Sequence, residues 1–361
     1  MASAPRLSSQ TTKLEEYLRE LVTKDAWPLE KPLPTTRSLG KKFGVANTTA
    51  SRALSRLESE NLVWKRDNGR YHLESSRHLF HRPEPVACLT RELERWSALY
   101  QAIMAGVSAY TAERQTALLL WRNESLIEHN DVSIPPRFGS LQQQISSLGG
   151  FVRSYGKQLG GILIDDAWTD EALSRFPGLL ENAVVLYRKT ELPQVGNVCI
   201  DTEASALLAL SHLLARGYGE IWIARPFPGH VATDFLIATF ASTAKQVGAG
   251  GLPCRLKNAC TPAEREALAG EASSASNRIG IFCPEDNISH RLYVELRAQG
   301  ADCPGKIGLM SGMGTTALRD ESITSLSFDF RRMGALAAAM VCARKTEQIK
   351  MRPELMVRET T

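Results

Sequence analysis

From Val86 to Met310 short apolar runs of β type alternate with amphipathic stretches of helical period, and no other feature restricts the fold as much. VACLT is followed by a helix expected over Trp96 to Tyr110, ALLLW by one near Leu141 to Tyr155, GILID by Asp170 to Phe176, and then AVVLY. A second series runs NVCID, helix Glu203 to Ala215, EIWIA, a helix ending at Gln246, RIGIF, another helix, and KIGLM. Strand–helix–strand order predicts α/β architecture with parallel, doubly wound sheets. Two such sets predict two lobes with a cleft between them. The 361 residues also exceed the roughly 250 to 300 at which a single core stops growing.

The first quarter has a different character. Leu14, Tyr17, Leu18, Leu21 and Val22 share helical spacing over Thr11 to Trp27, and the prolines of WPLEKPLP end that helix. A second helix is expected over about Thr36 to Phe43, with Thr35 or Thr36 as cap and Gly44 as stop. On a third, after Val45, the residues Ala50, Ala53, Leu54 and Leu57 share one face and Thr48, Ser51, Arg52 and Ser55 the other. LVWKR and RYHL then flank Asp67-Asn68-Gly69, a type I′ hairpin signal. Three helices and a hairpin make a winged helix-turn-helix.

Charge supports a separate role for this module. Residues 1–82 hold 15 Lys and Arg against 9 Asp and Glu, leaving 28 against 30 for the remainder, so the basic excess is concentrated at one end. That asymmetry points to a polyanion partner. Leu33 to Glu58 contains no carboxylate before Glu58 itself. Acidic side chains would be repelled by phosphates, whereas Thr, Ser, Asn and Arg bond to phosphate oxygens and base edges. Asn47 also serves as a candidate helix cap, since Ala46 is a poor one.

Seven scattered cysteines without a CxxC fit reduced thiols, and no run approaches the ~20 apolar residues of a membrane span. The start, Met1 to Gln10, has no apolar signal core, so the expected compartment is the cytoplasm. The seven histidines form no HExxH, no GxSxG appears, and no glycine-rich phosphate loop follows a strand; neither an enzyme nor a cofactor is expected. His230, behind Pro228-Gly229 at an expected helix start, could touch ligand, though a surface or capping role is the primary reading. ESSRHLFHRPEP, with two prolines, reads as a linker over 75–85, separating a head (1–74) from a body (86–361). In open parallel sheets ligands bind at the carboxyl ends of strands. Those ends carry Trp96, Trp121, Arg122, Asp165, Asp166, Trp168, Arg188, Asp201, Arg225 and Asp286, aromatic faces and charges suited to a small polar ligand.

The stretch LPTTRSLGKKFGV, TTASRALSRLESENLV and the wing after it resemble the DNA-binding domain of GntR-family transcription regulators over Thr11 to Leu73. The resemblance implies that Arg37 reaches DNA from the second helix, that Thr48 and Thr49 open the recognition helix, and that Ser51 and Arg52 lie on its exposed side. Thr35, Thr36, Asn47, Lys65, Asn68, Gly69 and Arg70 complete the implied interface with double-stranded DNA. Asn47 and Ser51 replace frequent arginines of that family, and Asn68-Gly69-Arg70 replaces a two-glycine wing tip.

The body is similar to the periplasmic-binding-protein-like effector domain of LacI/GalR regulators. DTEASALLALSHLLARGYGEIWIA, IFCPEDNISHRLYVELRAQG, SLSFDFRRMGALAA and RPELMVRETT carry the likeness. It implies three crossings between lobes, with lobe one at about 86–190 plus 324–347 and lobe two at 191–323 plus 348–361. It further implies a homodimeric transcription regulator, a repressor, controlled by a sugar-like or other small metabolite held between the lobes. Ligand affinity that differs between two lobe arrangements would become differential affinity for DNA. The sequence departs from this pattern at ligand positions: Leu236 stands for an arginine, Glu285 for an asparagine, and Ser311-Gly312-Met313-Gly314 for a turn with two aspartates. Regulation by abundance or a protein partner, without effector sensing, is therefore the alternative. A transport solute-binding protein fits less well, given the basic head and the expected lack of export.

Overall fold

The computed structural model describes the chain apart from residues 1–8, 24–26, 29–30, 67, 75–83, 91–97, 123–126, 129–136, 157–158, 248–251 and 316–321. It divides into two compact units, Met1–Pro83 and Glu84–Thr361. Among the described residues no helix is long and apolar enough to cross a membrane.

The head packs α1 (Ser9–Thr23), α2 (Thr36–Phe43) and α3 (Asn47–Ser59) around Leu14, Leu18, Leu39, Leu54 and Leu57, each under one-tenth exposed. Thr35 caps α2 by accepting from the Ser38 amide, and Gly44, at φ +64°, ends it in the left-handed conformation that glycine adopts without strain. Strands β1 (Val63–Lys65) and β2 (Tyr71–Leu73) form the antiparallel wing. Its tip differs from the expected type I′ turn, which requires positive φ at both Asn68 and Gly69. Gly69 alone of the two is left-handed, at +77°, and its amide bonds back to the Arg66 carbonyl at 2.8 Å. Asn68 instead accepts from the Arg70 amide at 3.0 Å, so the side chain replaces part of the backbone turn.

The first sheet of the body has the order β15-β9-β8-β7-β3-β4, all parallel. Its strands are β3 (Val86–Thr90), β4 (Leu118–Arg122), β7 (Gly161–Ile164), β8 (Ala183–Tyr187), β9 (Gly196–Ile200) and β15 (Gln348–Met351). The second sheet has the order β11-β10-β12-β13-β14-β16 and is parallel except at β14/β16. It holds β10 (Glu220–Arg225), β11 (Cys254–Asn258), β12 (Ile279–Cys283), β13 (Ile307–Ser311), β14 (Thr324–Ser327) and β16 (Glu354–Met356). A two-stranded ladder of β5 (Ile127–Glu128) and β6 (Arg137–Phe138) was not expected from the sequence.

The lobe boundaries fall later than expected. β9 and β15 lie in the first sheet and β14 in the second, so the chain crosses after β9, after β14 and between β15 and β16. An apolar run such as NVCID is the same whichever sheet it enters; the pairing Tyr187↔Cys199 decides it. The first body helix, α4, ends at Glu113, beyond Tyr110, and is described from Ala98. In place of the expected Asp170 to Phe176 helix stands the one-turn α6 (Asp170–Leu173), followed by a 3-10 segment, Pro177–Asn182, that starts on a proline.

Two glycines bring α4 against α11 (Phe330–Cys342). A Cβ at Gly106 would lie 1.9 Å from the Arg331 carbonyl oxygen, and one at Gly334 would lie 1.9 Å from that of Ile103. The two backbones therefore touch, and α11 packs onward against β7, β8 and β9. One apolar cluster runs through both lobes, from Val86, Leu163 and Val184 of the first sheet to Ile223, Phe282 and Met310 of the second.

Candidate nucleic-acid interface and interlobe cleft

In α3 the inward face is Ala50, Ala53, Leu54 and Leu57, which leaves Asn47, Thr48, Ser51, Arg52 and Ser55 exposed and Thr49 half-buried. No side chain caps this helix, so Asn47 is not spent on the backbone; its Oδ1 lies against Gly40 of α2. The acidic residues of the head sit elsewhere. Glu60 takes Arg19 at 2.6 Å and Arg56 at 3.5 Å, Glu15 takes Arg56 at 3.6 Å, and Glu58 accepts from the Tyr71 hydroxyl at 3.4 Å. Arg37 and Arg52 are exposed and form no ion pair with a described residue, and Lys65 and Arg70 stand exposed on the wing. Thr35 is exposed and Thr36 half-buried at the start of α2. Burial, with Arg66 and Arg70 adding to it, lowers the His72 pKa and favours the neutral ring inside the wing. The head thus presents cations, hydroxyls and the amides of Asn47 and Asn68 on α2, α3 and the wing, while Glu15, Glu58 and Glu60 are engaged within the head.

The body treats its expected site residues differently. Trp168 is wholly buried among Leu148, Phe151, Leu173 and Leu180, and its ring packs inside lobe one with no face open to a ligand. Trp121 is half-buried and meets Phe151 and Tyr155 edge-on at 5.6 and 5.7 Å. Trp96 and the side chain of Arg122 lie outside the described residues. Arg188 is buried; it bonds to the carbonyls of Lys189 and Trp168 and pairs with Asp170 at 2.7 Å. Asp165 is buried and accepts from the Ala167 amide, and Asp201 caps α7 (Thr202–Ala215) through the Ala204 amide. Arg225 pairs with Asp234 at 3.4 Å.

Asp286, 1% exposed at the start of α10 (Asp286–Ala298), accepts from Ser311, the Gly314 amide and both the amide and hydroxyl of Thr315. A carboxylate so filled fixes the turn after β13; it offers no open oxygen to a hydroxyl. Leu236, on α8 (Val231–Gln246), is buried in the apolar cluster. Glu285, the cap of α10, is pushed up to about 7, by burial first and the Asp286 carboxylate second. An acid raised above its unfolded value of 4.5 stabilises the fold below that pH and loses the contribution as pH rises through about 7. Glu285→Gln is therefore expected to stabilise the body by about 1 kcal/mol at pH 8 and hardly at all near pH 4, read by thermal unfolding at both.

Between the lobes lies a cavity of about 220 Å³. Tyr187, Lys189, Ile200 and Thr202 line it from the first sheet's side and Val231, Ala232 and Phe235 from α8. His230 stands at the cap position of α8 but not at the surface: it is 5% exposed, and its Nε2 lies 2.8 Å from Asp166 Oδ2. Its position before a helix gave no sign of a carboxylate 64 residues earlier in the chain. Among the described residues no group of three or more His, Cys, Asp or Glu could hold a metal ion.

Residues 10–72 match the family of bacterial regulatory proteins of the gntR type, and residues 210–361 match the periplasmic binding protein-like domain. The chain is a transcription regulator with a gntR-type DNA-binding head and a periplasmic-binding-protein-like body. Solved structures agree on the fold. A LacI family transcriptional regulator from Enterococcus faecium with bound ribose is 15% identical, covering 77% of this chain and 98% of that one at TM-score 0.60. The transcriptional regulator CelR in complex with cellobiose is 18% identical over 91% of this chain and all of its own, at 0.61. A putative ribose operon repressor from Burkholderia thailandensis is 15% identical over 76% and 99%, at 0.58. No curated protein matches the sequence.

Proposed function

We propose that the protein is a homodimeric repressor that binds a pseudo-palindromic operator through α3 and the wing, and that its two-lobed body sets the affinity of that contact. The observation that carries this reading is the exposed, carboxylate-free side of α3, with Arg37 and Arg52 forming no ion pair with a described residue. Replacing either arginine with alanine should weaken operator binding by about 1 to 3 kcal/mol. Gel-shift titration against fragments selected from genomic DNA checks it, and affinities unchanged in both variants would refute the assignment.

For the body, the leading reading is a small metabolite held between the lobes, as ribose and cellobiose are bound by the two similar regulators. One observation favours the second reading, control without a sugar-type effector. Asp166, Arg188 and Asp286 are buried and bonded within the chain, so a sugar's hydroxyls would have to displace existing partners. A thermal-shift panel of sugars and sugar phosphates on the full chain separates the readings. An upward shift of several degrees supports the first, and a flat panel supports the second.

A further inference from the structure

The contact between Asp166 and His230 crosses the cleft. Asp166 follows β7 in lobe one, and His230 precedes α8 in lobe two. The carboxylate side chain is wholly buried. On one side the Tyr100 hydroxyl of α4 donates to its Oδ1, and on the other His230 Nε2 reaches its Oδ2 at 2.8 Å. The imidazole is oriented in turn, because Nδ1 lies 2.7 Å from the Thr233 hydroxyl. Asp166 and His230 meet at ion-pair distance, not through an aligned hydrogen bond. Closure takes the Asp166 carboxylate out of water, where burial is tolerated through the Tyr100 hydroxyl on one oxygen and the nearby His230 ring on the other.

A second pin lies nearby. Tyr187, at the end of β8, has φ +69°, a left-handed conformation that is unfavourable for a bulky side chain and is kept only where the surroundings fix it. Its hydroxyl lies 3.7 Å from the Met313 sulfur of lobe two, and its ring meets Phe330 at 6.4 Å, where the chain has returned to lobe one.

We propose that the body closes on itself: His230 occupies against Asp166 the place that a ligand hydroxyl would take, and the lobes stay shut with no metabolite bound. The inference rests on the second reading above, control without a sugar-type effector, and supplies its physical cause. It also places His230 and Asp166 as the pair that an opening signal has to separate.

Hydrogen exchange read by mass spectrometry on the ligand-free, full-length protein tests it. In the native chain the amides of 167–169 and of 233–236 should be protected. In His230→Ala, and in the equal-volume Asp166→Asn, both segments should exchange about tenfold faster or more, while the strands of both sheets keep their rates. The decisive feature is reciprocity, since a substitution in one lobe must loosen the other. Exchange that changes only in the substituted lobe would overturn the proposal, as would a native chain already exchanging as fast as the variants at both segments. Gel shifts on the same samples keep the readings apart: absent DNA binding would sink the regulator assignment and leave the exchange result standing.

Discussion

Arg52→Glu is expected to lower operator affinity by about a hundredfold or more, with the head as stable as before. The side chain is exposed on α3 and pairs with no described carboxylate, so removing it disturbs no internal contact. Alanine there would forfeit a base or phosphate contact of about 1 to 3 kcal/mol. Glutamate adds repulsion from the same phosphates, close by and partly desolvated, where charge interactions exceed their strength in water. The control is Arg56→Glu. Arg56 is half-turned toward Glu15 and Glu60, and its loss acts on head stability before it acts on DNA. Gel-shift titration and thermal unfolding of the two variants should separate contact from scaffold.

The largest stability effect is expected from Gly334→Val, which should cost about 4 kcal/mol or more and leave the body unfolded at 37 °C. Even the first carbon added there would lie 1.9 Å from the Ile103 carbonyl oxygen, and that atom is backbone, which cannot turn aside. Relief requires α11 to withdraw from α4. Withdrawal would break the packing of α11 on β7, β8 and β9, and with it the return of the chain into lobe one. Gly106→Val, on the facing helix, should behave alike. Both variants should retain a folded head, since Met1–Pro83 is a compact unit of its own. Circular dichroism and limited proteolysis would then find loss confined to the body.

Why some of this was legible in the sequence and some was not follows from the range of the interactions. The head's helices were readable because Thr35, Gly44 and the Ala50–Leu57 stripe act within one or two turns of chain. The alternation of strands and helices in the body is likewise local. Three things were not local. The sheet that β9 or β14 joins depends on a partner strand, and edge strand β11, with Arg255, Leu256 and Asn258 facing solvent, has no apolar run to announce it. The wing tip depends on the Asn68 side chain bonding to the Arg70 amide, which overrides the usual Asn-Gly turn. For the charged groups after the strands, the sequence could not tell which partners the fold supplies. Asp166 meets a histidine, Asp286 meets a serine and a turn, and Arg188 meets Asp170 and two carbonyls, all through tertiary contacts.

The most direct test of the account is the salt dependence of DNA attachment by the full-length protein, measured by fluorescence anisotropy on a double-stranded oligonucleotide. Each phosphate neutralised by the α3 and wing cations should add about −0.9 to the slope of log K against log salt, and Arg52→Ala should make the slope shallower by about one. Attachment that is absent, or that holds its strength as salt rises, would contradict the claim that the carboxylate-free side of α3 lies against a nucleic-acid duplex.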